Sequence, residues 1–303
     1  MRYSYFKYLI FIVLVTSFSF SQSKLNAFLT PSDTLSKPRR NAVVISEVVL
    51  SSSALVGLNQ LWYADYERSK FQTINDNNEW LQMDKMGHVF SSYQMGKHGA
   101  QVLNWSGVNK KDQLIYGATL GFGFLTAVEV LDGYSKEWGF SWGDILANGL
   151  GTGLYVGQEL LWNEQRIALK FSFHQTKYAS QNPDKLGEGI LEQVLKDYNG
   201  QTYWLSFNIH DFLKTDFLPK WLNIAVGYGA DGMLYGTKDV DNQLLTNINR
   251  QRQFYLSLDV NLNQIKTNSK LIQVFLDILN SIKVPFPTLE FNKKGCVFHL
   301  FYY

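Results

Sequence analysis

The stretch Asp84-Lys85-Met86-Gly87-His88 heads the segment DKMGHVFSSYQMGKHGAQVL (84–103) and sets two charged side chains and an imidazole at the start of a glycine-bearing run. Ionisable groups in such a run are costly to desolvate unless they find partners. Asp84 and His88 are four residues apart, so on a helix they share a face. Asp144 and Asn148 repeat that spacing in WGDILANGLGTGLYVG (142–157), and Glu129 and Asp132 lie three apart in AVEVLD (127–132). Three helices thus each offer a polar pair. The chain is expected to fold so that Asp84, Lys85, His88, Glu129, Asp132, Asp144 and Asn148 meet.

Outward from this stretch the N-terminal half reads as helical. Val43 to Ala64 is apolar and long enough for a helix, Phe71 to Glu79 is a polar loop, and helices are expected over Asp84–Leu103, Asp112–Leu131 and Trp142–Trp162. Gly117 and Gly121 are four apart, as are Gly149, Gly153 and Gly157, a spacing that leaves a groove where helix backbones approach closely. The alternative is that glycines mark loops and turns, Gly151 among them. Residues 42–163 therefore read as a bundle of about four glycine-rich helices. Two of them are apolar nearly all round, as helices buried in protein or lipid are.

From about residue 167 the period changes to two. Leu169, Phe171 and Phe173 alternate with polar residues, as do Tyr203, Leu205, Phe207 and Ile209, then Leu222 to Tyr228, then Phe254 to Leu262. This is the pattern of half-buried strands. Leu186, Ile190, Leu191, Val194 and Leu195 form one amphipathic helix; Leu271, Ile272, Phe275, Leu276 and Leu279 form another. The expected fold class is α+β, the helical bundle followed by a C-terminal antiparallel β-sheet with two amphipathic helices. Strands of about 9 to 11 residues suit an outer membrane, yet five or six strands fall short of the roughly eight a closed bacterial barrel needs. A sheet with one face on the helices is the preferred reading, and a small outer-membrane barrel with a helical plug is its rival.

Residues 1–21 read as a signal peptide: Arg2 and Lys7 precede an apolar run, Leu9 to Phe20, with small residues Ser19 and Ser21 before Gln22. The run is too short for a comfortable span. Residues 22–41 read as a mobile leader, 42–163 as the helical domain and 164–303 as a strand-rich aromatic domain. The single cysteine, Cys296, excludes an internal disulfide, and no cysteine lies near the cut to carry a lipid. A net charge of +2 without a basic block argues against nucleic acid. Aromatic residues make up 15% of the chain, a composition that favours membrane–water interfaces. A mean hydropathy of -0.15 argues against a multi-span transporter.

Carboxylates with one imidazole can hold a divalent metal or move a proton. Asp84, His88, Glu129 and Asp144 are the candidate metal ligands, and Lys85 can pair with the acids or face a phosphate. No cofactor is required, and no catalytic role is assigned. The plainer reading is a structural network. In it Ser141 and Asp144 form a capping box, Asp84 is an N-cap and His88 is a satisfied core histidine. His98, His174, His210 and His299 lack acidic company at ligand spacing.

The sequences DKMGHVF (84–90), AVEVLD (127–132) and WGDILANGLGTGLYVG (142–157) resemble the YfiM-like family of predicted periplasmic proteins and are similar to the core of VanZ-like membrane proteins. The shared pattern is Asp-Lys-x-x-His, a Glu, then Asp-x-x-x-Asn-x-x-Gly, here Asp84, Lys85, His88, Glu129, Asp144, Asn148 and Gly151. Asp132 departs from the Gln usual in VanZ-like proteins, and the lipoprotein cysteine of some YfiM-like members is missing. The resemblance covers 42–163 and implies a helical, membrane-associated fold in the cell envelope. It implies no reaction; the VanZ link to glycopeptide resistance hints at cell-wall or lipid-linked substrates. The expectation is an exported envelope protein of unassigned activity, structural or binding. It would sit in the periplasm or outer membrane of a Gram-negative-type cell, touching membrane lipid or an envelope protein. A metal-dependent enzyme or binder acting on lipid-linked phosphate or cell-wall precursors is the alternative.

Overall fold

The computed structural model describes residues 24–63, 66–215, 217–238, 240 and 249–302. The signal segment expected at 1–21 and the last aromatic residue, Tyr303, lie outside the described residues. The chain is α+β, with helices first and then a six-stranded antiparallel sheet.

Four long helices open the fold: α1 (Lys37–Leu58), α2 (Met83–Trp105), α3 (Leu120–Gly133) and α4 (Trp142–Trp162). Pro38 presets the backbone in the first turn of α1. Within the expected leader, Arg39 lies 4.6 Å from the Trp105 ring and donates to Thr30 and Trp105 carbonyls at 2.9 and 3.2 Å. Helix α4 starts where Ser141 Oγ accepts a hydrogen bond from the Asp144 N–H at 3.2 Å, which supplies one orphan donor of its first turn. It ends at Asn163, which adopts the left-handed region.

Helix α2 is the centre, with α3 and α4 against it. The backbones approach closely because glycines face the contacts. A Cβ on Gly117 would fall 2.6 Å from Ala100 Cα, and one on Gly121 would fall 2.4 Å from the Ser92 carbonyl oxygen. The second stripe behaves otherwise. Gly153 and Gly157 face open space, and a Cβ on Gly149 would meet Phe122 at an ordinary 3.9 Å. The glycine of α4 that touches α2 is Gly151, where a Cβ would lie 2.2 Å from the Val89 carbonyl oxygen. Gly151 is therefore a helix-contact residue rather than a turn. The polar positions Asp144 and Asn148 turn the face bearing Gly151 and Tyr155 toward α2, and Leu146 and Leu150 turn away.

The sheet is a meander of β1 (Ile167–Phe173), β2 (Gln201–Asn208), β3 (Leu222–Asp231), β4 (Gln251–Val260), β5 (Phe286–Asn292) and β6 (Gly295–Tyr302), each antiparallel to the next. Two residues read as strand lie outside it. Ile209 opens a short helix, Ile209–Leu213, which Asn208 caps by accepting from the Asp211 N–H at 2.9 Å; Leu262 opens a 3-10 turn. The amphipathic helices are α5 (Ile190–Lys196) and α6 (Lys270–Leu279), and Leu186 closes a separate turn, Pro183–Leu186. The segment entering β5 reaches back to the free edge of β1. The Phe171 N–H donates to Ser281 and the Lys283 N–H to Phe171, both at 2.9 Å, so the sheet curls.

The two faces of this sheet have unexpected partners. At β1 and β2, Leu169 and Tyr203 pack on α2 through Tyr93 and Phe90. Beyond Tyr228, which still packs against Leu81 and Met83, the same apolar face lies open from β3 onward, with Ile224, Val226, Leu256, Leu258 and Phe291 exposed. The opposite, concave face is buried and largely polar: Lys170, Asn223, Ser257, Asp259, Thr288 and Glu290 lie there around an aromatic cluster of Trp204, Tyr255 and Tyr302. The helices thus cover the sheet at one side only. The helices show the same reversal. Helix α4 buries Asp144, Asn148 and Gln158 and exposes Leu146, Leu150 and Leu161. Helix α6 turns Asp277 onto Lys97 at 2.9 Å and exposes Leu271, Ile272 and Phe275. Among the described residues, two segments, Lys37–Leu58 and Lys110–Gly133, are long and apolar enough, by length and composition, to cross a membrane.

Candidate functional site

The polar cluster is assembled at the start of α2. Trp80, Leu81 and Gln82 all adopt positive φ, a conformation that costs a non-glycine residue free energy and that neighbours must hold in place. The Trp80 N–H donates to the Gly236 carbonyl at 2.8 Å, and the Tyr228 hydroxyl donates to the Leu81 carbonyl. Gln82 occupies the N-cap position, so Asp84 is not the cap; it stands one position inside the first turn, beside Lys85. A short parallel bridge joins Thr73–Ile74 to Phe140–Ser141 and brings the 75–78 loop against the head of α4. There Ser141 Oγ donates to Asp76 Oδ1 at 2.7 Å.

Lys85 Nζ joins three carboxylates: Asp76 at 2.6 Å, Asp144 at 2.8 Å and Asp84 at 3.2 Å. Asp76, read from sequence as a loop residue, is thus part of the site. One turn on, His88 Nδ1 meets Asn148 Oδ1 at 3.0 Å, and Nε2 faces Glu129 at 3.6 Å, Asp144 at 3.8 Å and Asp84 at 4.0 Å. Glu129 is anchored through Oε2, which accepts the Ser141 N–H at 3.1 Å. The reciprocal half of a capping box, from Asp144 to the Ser141 N–H, is therefore replaced by Glu129. Tyr198, from the strand-rich half, donates its hydroxyl to Asp84 Oδ1 at 2.8 Å.

Six of the seven candidate residues, Asp84, Lys85, His88, Glu129, Asp144 and Asn148, meet directly. Asp132 lies to one side, where its Oδ1 accepts the Tyr63 hydroxyl at 2.6 Å. Asp76, Ser141 as a ligand of Asp76, Tyr63 and Tyr198 were not legible as site residues, because spacing along one helix says nothing about loops and strands that arrive from elsewhere. Two histidines set aside on spacing have acidic partners after all. His299 Nε2 lies 2.8 Å from Glu290, and His210 Nδ1 lies 3.2 Å from Asp211.

The electrostatics follow from too many acids in too little water. Burial, and then Asp144, push the Glu129 carboxyl up to about 8. Burial and Asp84 also raise Asp144. Burial opposes the charge on Asp84, but His88, Lys85 and the Tyr198 hydroxyl outweigh it and hold its pKa below the ordinary value. Burial opposes a charge on His88 as well, and Asp84, Asp144 and Glu129 overcome it, so its pKa is raised. Lys85 is held charged by the carboxylates around it. Such opposed shifts mark sites where a proton or another cation decides the charge balance.

Asp84, His88 and Asp144 each offer a ligand atom, and these atoms lie within 4.8 Å of one another. Two clefts open onto Asp84. One, of about 370 Å³, also reaches His88 and has apolar walls that include Phe90, Leu125 and Phe171. The other, of about 390 Å³, is lined by Asp76, Glu79, Lys185 and Tyr198. A third cleft of about 410 Å³, at Leu81, Arg250, Arg252 and Phe254, has no carboxylate or imidazole in its lining.

Residues 73–158 match the family model described as a predicted periplasmic lipoprotein, DUF2279. The matched segment holds every residue of the cluster except Tyr63 and Tyr198. The match supports kinship with an uncharacterised periplasmic family and fits an exported, envelope location. Neither the curated proteins nor the solved structures contain a match.

Proposed function

We propose that the protein is an exported cell-envelope protein that binds a membrane through its apolar surface, with the buried polar cluster fixing the register of α2, α3 and α4. One observation carries this reading: the reversed polarity of the sheet. In water, an antiparallel sheet buries its apolar face and wets its polar one. Here Lys170, Asp259 and Glu290 are inside, and Val226, Leu256 and Phe291 are outside. An apolar face this size is unfavourable in water and suits hydrocarbon. Because α1, α4 and α6 expose apolar side chains too, the partner must cover several sides at once, which fits lipid better than a single protein. The reading is contact through a surface rather than a crossing. The DUF2279 match and the YfiM-like and VanZ-like pattern point the same way.

The test is fractionation of the mature protein with a carbonate wash, beside two lysine variants of adjacent β4 residues. Wild type is expected to stay with the membrane. Leu256→Lys, on the open face, is expected to shift a large share into the wash, whereas a charge on the lipid side costs up to about 2–4 kcal/mol. Ser257→Lys, on the concave face, is expected to harm folding rather than partition. Complete release of wild type by carbonate, or a Leu256→Lys protein that binds as well as wild type, would defeat the reading.

A further inference from the structure

We propose that Asp84, His88 and Asp144 form a binding site for a divalent transition-metal ion, with Glu129 as a fourth donor. The proposal is independent of the membrane reading. It begins with the spacing around His88 Nε2. The oxygens of Glu129, Asp144 and Asp84 stand 3.6, 3.8 and 4.0 Å away. All three are too far for a hydrogen bond. They are close to the separation between neighbouring ligands of a four-coordinate zinc, roughly 3.3–3.6 Å when each lies about 2.0–2.2 Å from the ion. The three oxygens would need to draw in toward His88 Nε2 to reach that separation, since the candidate ligand atoms lie within 4.8 Å of one another.

The orientation of the ring is the second observation. Asn148 Oδ1 accepts at His88 Nδ1, 3.0 Å away, and Asn148 is itself fully buried. With Asn148 Oδ1 as the acceptor, Nδ1 is the protonated nitrogen and Nε2 faces the three acids, the arrangement outer partners give metal-bound histidines. In the absence of an ion a proton on Nε2 fills the same place, and metal binding would release it to solvent. Asp144, 3% exposed, presents Oδ1 to both sides of the cluster: it is ion-paired with Lys85 Nζ at 2.8 Å and faces His88 Nε2 at 3.8 Å. Carboxyl groups from Asp76, Asp84, Glu129 and Asp144 surround one ammonium and one imidazole, an oxygen-rich donor set with a single nitrogen ligand. The cleft of about 370 Å³ that reaches both Asp84 and His88 is the entry path. One imidazole with carboxylate oxygens suits zinc or manganese rather than copper(I) or an iron–sulfur cluster.

The experiment uses the full-length protein in detergent, stripped with chelator and titrated with Zn2+ alone, with bound zinc measured by calorimetry and elemental analysis. One equivalent per chain is expected. His88→Ala and the isosteric Glu129→Gln are each expected to weaken binding about tenfold or more, while His210→Ala keeps it. Circular dichroism reports whether each variant is folded. If His88→Ala fails to fold, Co2+ added to wild type decides: intense visible absorption from a low-coordinate nitrogen–oxygen site, bleached by Zn2+, supports the proposal. The weak absorption of a six-coordinate aqua ion overturns it. So does wild type without saturable Zn2+ binding, or a folded His88→Ala protein that binds as wild type does.

Discussion

Lys170 Nζ and Asp259 Oδ2 meet 2.8 Å apart on the concave face of the sheet, and neither side chain reaches solvent. Lys283 stands 3.9 Å from the same carboxylate and 5.1 Å from the Trp204 ring, and Ser206 donates its hydroxyl to it at 2.6 Å. Two ammonium groups and a hydroxyl thus share one buried acid. Lys170→Met leaves Asp259 with less compensation, and removing one partner of a buried pair costs roughly 3–5 kcal/mol. Because Lys283 remains, a loss at the low end of that range is expected, read as a lower midpoint of denaturant unfolding in detergent. Lys170→Met/Asp259→Leu is expected to recover most of it. An unchanged midpoint in Lys170→Met would remove the pair from any account of stability.

The glycines separate close contact from open surface. Gly151→Ala would press a Cβ into the Val89 carbonyl and force α2 and α4 apart, at a cost of about 1–3 kcal/mol. Gly153→Ala and Gly157→Ala meet nothing and should stabilise by up to about 1 kcal/mol through helix propensity. Thermal midpoints of the three variants check this, and equal effects at 151 and 153 would contradict the packing described.

The pH dependence has a defined sign at Asp132. Burial raises its carboxyl from an ordinary 3.8 to about 7, although the Tyr63 hydroxyl, as a hydrogen-bond donor, pulls it down. The folded state therefore holds a proton that the unfolded state has lost. This contribution to stability is fully present below about pH 4 and disappears as pH rises through 7, by at most about 4 kcal/mol. Asp132→Asn is expected to flatten unfolding stability between pH 4 and 7. An Asp132→Asn protein with the wild-type slope would assign the dependence to other groups.

What the sequence discloses follows from what its periods encode. The spacing of four from Asp84 to His88 and from Asp144 to Asn148 fixes which residues share a helix face, and those faces do meet. Alternation locates most of the sheet for the same reason, since Ile224 and Val226 must share a side. Alternation does not say what covers that side. The polar set of β3 and β4 is the buried one, and the seven-residue β5, with Pro287 in it, gives too short a run to stand out. Asp76 and Tyr198 reach the cluster from a loop and from beyond β1, contacts of long range that no local spacing records. The same holds for Gly151: only the orientation of α4 decides that it, and not Gly153, meets α2.

The most direct test of the membrane reading uses the single cysteine. Cys296 is exposed on β6 and pairs in register with Phe291, on the apolar side of the sheet. A nitroxide attached there, with the protein reconstituted in phospholipid vesicles, reports its surroundings by power saturation. The account predicts that oxygen, which concentrates in hydrocarbon, relaxes the label more strongly than a water-soluble nickel chelate does. The same order is predicted for a cysteine moved to Leu256 in a Cys296→Ser background. Stronger relaxation by the nickel chelate at both positions would place this face in water and contradict the claim that it contacts lipid.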